Sequence, residues 1–457
     1  MRPLDPALLG ELGAIVGADQ VVVDPDIVAS YAVDWTGRFQ GETPAVVRPG
    51  NLDQVAAVVD VCRGREVALV PQGGNTGLVG GGVPLGGEIV LSLRRLSAIG
   101  EVDPLAGQLT AGAGATVADV HRAATAAGWV YGVDLGSRDS ATVGGTVATN
   151  AGGLHVLRHG ATRAQVMGIE AVLGTGATIS HLGGLVKDNT GYDLAGLICG
   201  SEGTLAVVTA ARLRLVPPSP HQVAALIALP GPASAVRAAT GLRRSLPELQ
   251  AAECFFDAGL ALVCETLGLA PPFADRHPAY LLIEVAGQED PTEATAEALA
   301  SIAEVADVAV ATDPARRAQL WRYREGHTEA VNSLGQPHKM DVTLPAAALA
   351  SFIEEVPDAV RRVAPHAATW LWGHVADGNV HVNVTGVAPR DDAVDDQVLT
   401  MAASFGGSIS AEHGIGTAKR RWLHLNRSPA EMAAFGAIKQ ALDPAGVLNP
   451  GVLFSPV

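Results

Sequence analysis

Two histidines flank a turn signal in the stretch Trp372-Gly373-His374-Val375-Ala376-Asp377-Gly378-Asn379-Val380-His381-Val382-Asn383-Val384. Asp377-Gly378 between two β-like runs reads as a two-residue hairpin turn. With the turn centred there, His374 stands directly opposite His381. Opposed side chains share one face of a sheet at Cβ separations of roughly 5 Å, close enough for two imidazoles to converge on one cation. Asn383, two residues beyond His381, points to the same face. A third donor comes from Ser410-Ala411-Glu412-His413-Gly414-Ile415-Gly416, where a carboxylate and an imidazole adjoin in a glycine-rich turn. Two histidines and a carboxylate suit zinc with an open coordination position, and also admit manganese or iron.

A second group of residues has the chemistry of anion recognition. A helix through Trp321-Arg322-Tyr323-Arg324-Glu325-Gly326-His327-Thr328 places Arg324 and Thr328 at i and i+4, on one face. Arg324 can grip a carboxylate through two N–H donors, Thr328 can add a hydroxyl, and Lys339 on the next strand can supply a second positive charge. The ordinary alternative is a solvated, charged helix face.

The third group is a set of glycine loops. Pro71-Gln72-Gly73-Gly74-Asn75-Thr76-Gly77 follows a short apolar strand and can aim successive backbone N–H groups at a diphosphate. It lacks the GK[ST] of a Walker loop, and Val117 at the third glycine position spoils a dinucleotide fingerprint after Gly112-Ala113-Gly114. Further loops hold Leu135-Gly136-Ser137, Thr142 with Gly144-Gly145-Thr146, Asn150-Ala151-Gly152-Gly153, Lys187 to Leu194, and Gly200-Ser201-Glu202-Gly203-Thr204-Leu205. Taken together, the segment from about Pro44 to Pro218 resembles the FAD domain of the vanillyl-alcohol oxidase and p-cresol methylhydroxylase superfamily.

That resemblance implies that residues 71–77 and the Gly144 to Gly153 stretch surround the pyrophosphate and flavin. It carries cofactor contacts onto Leu135, Gly136, Ser137, Thr142, Gly145, Thr146, Asn150, Ala151, Gly152, Gly153 and Gly160. It also implies contacts at Glu202, Gly203 and Val207 toward the adenosine end, and at Asn449. The first loop carries Asn75 and no histidine, so FAD is expected to be held without a covalent tether. His155 and His159 flank the Gly153 loop and are expected to be ordinary polar packing.

The remaining chain keeps the patterns GHxxDGNxHxN and SAEHGIG intact and resembles the FAD-linked oxidase C-terminal domain shared by D-lactate, glycolate and D-2-hydroxyglutarate dehydrogenases. The resemblance implies a divalent metal, zinc by preference, on His374, His381 and Glu412, with His413 as the base. It makes Arg324, Thr328 and Lys339, with Asn383, a binding set for a small 2-hydroxy dicarboxylate. The implied reaction is oxidation of a D-2-hydroxy acid, D-2-hydroxyglutarate first, to the 2-oxo acid. Metal would activate the hydroxyl, His413 would take its proton, and hydride would pass from C2 to flavin N5. A D-lactate or glycolate dehydrogenase is the nearest alternative, and a flavoprotein subunit active only within a larger complex is the second. A quinone, an electron-transferring flavoprotein or a cytochrome would take the electrons.

The elements that must position these residues follow a mixed α/β rhythm at first, with a helix opened by Asn51 and another from Thr116. After the proline cluster at Val216 to Pro220 helices alternate with strands, including a long helix through Pro314 to Ser333 and a strand at His338 to Leu344. The expected fold is α+β: a two-part FAD-binding domain of the p-cresol methylhydroxylase type over residues 1–218, and an α+β cap with an antiparallel sheet over 219–424. A C-terminal segment, 425–457, is expected to pack back on the FAD domain. A chain of 457 residues exceeds one ordinary core, so several domains are required. The net charge of −16 disfavours nucleic acid as a partner. The four cysteines show no CxxC spacing and read as reduced core thiols. No apolar run approaches the roughly 18 residues of a membrane span, and no secretory signal opens the chain, so a cytoplasmic protein is expected; a homodimer is one assembly the sequence leaves open.

Overall fold

The structure is a computed structural model that describes residues 4–389 and 391–454. The chain forms two compact units. One comprises residues 1–153, 159–217 and 412–457, the other residues 154–158 and 218–411. Residues 1–3 and 455–457 of the sequence-based domains lie outside the described residues.

In the first unit, β1 (Val21–Val22), β2 (Val46–Val47), β3 (Leu69–Gln72) and β4 (Ile89–Ser92) form a sheet in the order β1-β2-β4-β3. β2 and β3 each run parallel to β4, and a helix, Leu52–Gly64, connects them. Asn51 caps that helix by accepting from the Gln54 N–H at 2.9 Å, as the sequence predicts. Its apolar positions Val55, Val58, Val59 and Cys62 are spaced for one face and pack with Leu8 and Leu12 over Leu69, Ile89 and Leu91.

The same unit holds a second, antiparallel sheet of β5 (Gln108–Gly112), β6 (Val130–Tyr131), β7 (Val166–Leu173), β8 (Thr178–His181) and β9 (Ala206–Val216), in the order β5-β9-β7-β8 with β6 also on β9. The C-terminal stretch returns to the first sheet, where Leu448 bridges Leu69 in parallel. The first unit also takes in Glu412 onward, so its return begins ahead of the expected 425. The reason is local: the Glu412–Gly416 turn spends its backbone N–H groups within this unit, on Glu202.

The second unit is built on one antiparallel sheet of β10 (His221–Leu229), β11 (Leu249–Phe256), β12 (Ala279–Gly287), β13 (Asp307–Ala311), β14 (His338–Thr343), β15 (Ala368–His374) and β16 (Asn379–Thr385). Their order is β13-β10-β12-β11-β15-β16-β14. One face is apolar beneath the helices Pro232–Ser245, Ala346–Val363 and Ala393–Ser404, with Ile283, Val382 and Val384 fully buried. On the other face Leu226, Phe255, Tyr280, Leu282 and Trp372 pack with Leu260, Leu320, Tyr323 and Val331 from three helices. That second face is where the polar residues of β11 and β14–β16 collect, because side chains alternate across a strand.

The long helix read over Pro314 to Ser333 is two helices, Pro314–Glu325 and His327–Asn332. The break falls at Gly326, where a Cβ would lie 2.6 Å from Leu267 and 2.9 Å from Val263. Close packing against the helix Asp257–Leu267 thus claims the one residue there without a side chain.

Candidate active site

The hairpin of β15 and β16 carries both candidate metal histidines, but in a different register from the one the sequence suggests. Trp372, and not His374, is the partner of His381. The connection is the four residues 375–378 rather than Asp377-Gly378 alone. Two tertiary hydrogen bonds anchor it, Ala376 O accepting from Arg243 at 3.1 Å and Gly378 O from the Leu344 N–H at 2.9 Å, and within the turn the Asp377 N–H reaches His374 O at 3.2 Å. His374 lies two residues beyond Trp372 and so remains on His381's face, as a diagonal neighbour. The two rings are 5.5 Å apart at 78°.

A carboxylate backs each imidazole. Glu253 on β11 is the register partner of His374, and its Oε1 accepts from Nδ1 at 2.5 Å. Asp341 on β14 is the register partner of His381, with Oδ1 3.4 Å from Nδ1. Both acids are fully buried. Asp341 also accepts from Asn379 Nδ2 at 2.6 Å and, through Oδ2, from the Ala411 N–H at 3.1 Å. Sequence reasoning missed both acids. For Glu253 the available signal was an acidic residue inside a largely apolar strand, Leu249 to Phe256, because a charge is seldom buried without partners.

Arg324 donates through Nε to Glu253 Oε2 at 2.6 Å and is buried, 7% exposed. Burial pushes the Glu253 carboxyl up, but the charges and hydrogen bonds of His374 and Arg324 outweigh it and bring the group down to about 2. Lys339 and Asn383 are register partners on this same sheet face. Thr328 does not join Arg324: it is exposed and belongs to the next helix, beyond Gly326. Gly326 between them keeps a helical φ of −64° and ψ of −16°.

In the first unit the glycine loops gather. A Cβ at Gly73 would meet Thr142 Oγ1 at 2.1 Å, and one at Gly153 would meet Asp134 O at 1.9 Å, so these chains approach as only glycine allows. Residues 71–77, 134–137, 140–146 and 150–153 thus form one cluster. Asn449 Nδ2 donates to Gly81 O and Glu202 O at 2.8 and 2.7 Å, and Gly203 lies against Pro71. Gly160 takes a left-handed φ of 77° and packs on Ala164. Val207 turns its side chain into the core, 1% exposed, which leaves only its backbone for any ligand.

The Glu202 carboxylate is taken by backbone N–H groups. Oε1 accepts from the Ile415 N–H at 2.8 Å and Oε2 from the Gly416 N–H at 2.7 Å. It therefore braces the turn that carries Glu412 and His413. Glu412 Oε2 accepts from the Gly153 N–H at 3.2 Å, tying the same turn to a glycine loop. Glu412 Oε1 and His413 Nε2 are 3.9 Å apart. His155 sits 3.3 Å from Glu284 in the second unit, the polar packing expected of it.

These residues fit the groups the sequence implies. In the first unit Thr142 Oγ1 and Ser201 Oγ are buried without a partner among the described residues, and a Cβ at Gly77 or Gly136 would meet nothing within 4 Å. A glycine cluster with orphaned hydroxyls suits a polar, phosphate-bearing cofactor. In the second unit, a histidine that gives its Nδ1–H to a carboxylate presents Nε2, the usual arrangement for a metal-ligating imidazole. Among the described residues no helix is long and apolar enough to cross a membrane.

The family described as "FAD binding domain" matches residues 43–181, and "FAD linked oxidases, C-terminal domain" matches residues 218–453. The chain belongs to this family of FAD-linked oxidases. It is 39% identical to a D-2-hydroxyglutarate dehydrogenase of Xanthomonas citri pv. viticola, over 98% of this chain and 97% of that one. It is 36% identical to the mitochondrial D-2-hydroxyglutarate dehydrogenase of Danio rerio, over 94% of this chain and 82% of that one. The fold is similar to that of p-cresol methylhydroxylase with substrate bound, with a TM-score of 0.77 at 16% identity over 98% of this chain and 96% of that one.

Proposed function

We propose that this protein oxidises D-2-hydroxyglutarate to 2-oxoglutarate with non-covalent FAD and one divalent metal ion, zinc by preference. FAD would supply the two-electron acceptor, and the metal a Lewis acid for the substrate's hydroxyl and C1 carboxylate. His374, His381 and Glu412 would hold the metal, and the neutral His413 imidazole would take the hydroxyl proton. Arg324, with its Nε on Glu253, has its outer guanidinium nitrogens left to grip a substrate carboxylate. Lys339 and Asn383 would serve the same ligand from the neighbouring strands. Residues up to 217, with those from 412 onward, would form the FAD domain, and 218–411 the substrate cap. A quinone, an electron-transferring flavoprotein or a cytochrome would reoxidise the flavin of a cytoplasmic enzyme.

The observation that carries this reading is the sheet face on which His374 and His381, each backed by a buried acid, adjoin Lys339 and Asn383. The relatives' near full-length similarity supports the dicarboxylate. An anaerobic screen of D-2-hydroxyglutarate, D-malate, D-lactate and glycolate, with and without chelator, tests it. Flavin bleaching is expected fastest with D-2-hydroxyglutarate and suppressed by chelator. Faster bleaching by D-lactate or glycolate overturns the substrate assignment, and bleaching indifferent to chelator overturns the metal.

A further inference from the structure

Glu253 lies in a strand whose residues Leu249 to Phe255 are all buried, and its side chain is 1% exposed. A carboxylate taken that far from water is costly unless each oxygen accepts a hydrogen bond. Here each oxygen has one: His374 Nδ1 at 2.5 Å on Oε1 and Arg324 Nε at 2.6 Å on Oε2. The two donors come from different places in the fold, one from the cross-strand partner and one from the helix Pro314–Glu325. A single acid thus touches the residue assigned to the metal and the residue assigned to the substrate carboxylate.

We propose that Glu253 is a positioning residue that couples the metal site to the substrate-anion site, fixing the His374 ring with one oxygen and the Arg324 fork with the other. The inference rests on the roles proposed above for His374 and Arg324. Accepting the Nδ1–H holds His374 in the tautomer that offers Nε2 to a cation and raises its basicity. Holding Nε–H turns Arg324 so that its two outer nitrogens project as a fork. Cation binding at His374 polarises the shared carboxylate, so what binds at one end is felt at the other. Metal and dicarboxylate affinities are therefore linked reciprocally.

The test is Glu253→Gln in the full-length flavin-loaded protein. Glutamine keeps the size but has one acceptor oxygen, and its amide N–H₂ would face a second donor. Zn2+ affinity, read by competition with a chromogenic chelator, is expected to fall about ten- to a hundredfold. KM for D-2-hydroxyglutarate should rise together with it, while flavin content stays at the wild-type level. Glu253→Asp, which keeps both acceptors, should fall between the two. A glutamine variant that binds Zn2+ as tightly as wild type overturns the inference while leaving the metal reading intact. A wild-type protein that binds no Zn2+ overturns the metal reading, and this coupling with it. Should the glutamine variant not fold, nitrogen NMR of the wild-type histidines decides: His374 protonated at Nδ1 supports the proposal, and the Nε2–H tautomer overturns it.

Discussion

His374 and His381 face one another obliquely, rings 5.5 Å apart at 78°, although His381 is the register partner of Trp372. Convergence on one cation needs a shared sheet face rather than direct opposition. Accordingly His374→Ala and His381→Ala should each lose the bound metal and turnover. Both should keep FAD, because the glycine loops belong to the other unit. Elemental analysis of the purified variants checks this, and a full equivalent of metal in either one contradicts it.

Glu202 accepts two backbone N–H groups from the turn bearing Glu412 and His413. Glu202→Ala leaves both donors without an acceptor, at about 1.5–3 kcal/mol for each bond to a charged group. A loss of about 3 kcal/mol in denaturant unfolding is expected, with kcat at least about tenfold lower as the turn loosens. Unchanged stability would show that water or another acceptor replaces the carboxylate.

Flavin should leave the polypeptide on acid or heat denaturation. The 71–77 loop holds no histidine, and Asn75, at a left-handed φ of 56°, gives its amide to Val33 O at 2.8 Å. Yellow colour that stays with the precipitate would count against this.

Arg324→Ala has two expected consequences. It removes the guanidinium assigned to a substrate carboxylate, for a drop in kcat/KM with D-2-hydroxyglutarate of at least roughly thirtyfold. It also strands Glu253, so stability should fall by about 3 kcal/mol. Lys339→Ala should hurt D-2-hydroxyglutarate far more than D-lactate, which lacks the distal carboxylate. Equal losses for both substrates would mean that Lys339 orders the site or binds C1.

His327 is fully buried between Phe255 and Trp372, and burial, then the Arg324 charge, pulls it down from 6.5 to about 3. Folded protein keeps it neutral where the unfolded chain would be protonated. Its contribution is therefore present above pH 6.5 and lost as pH falls from there toward 3. Between pH 7 and 5 that loss is about 2 kcal/mol. His327→Gln should show a shallower decline over this interval in urea unfolding, and an identical slope would refute the assignment.

The family and much of the local backbone were legible in the chain alone. The glycine loops, the His374 to Asn383 stretch and the Glu412-His413 turn are local patterns, set by backbone conformations and alternations that neighbours in sequence determine. The Asn51 cap was legible for the same reason. What tertiary structure decided were the partners across sequence distance. Strand order puts Glu253 opposite His374 and Asp341 opposite His381. Anchors from Arg243 and Leu344 widened the hairpin turn and shifted its register. Packing on Leu267 and Val263 leaves no room for a Cβ at Gly326, and burial takes Arg324 inside while Thr328 stays exposed. Each depends on which distant surface arrives to satisfy a buried charge, carbonyl or gap, and such energies appear only once the strands are assembled.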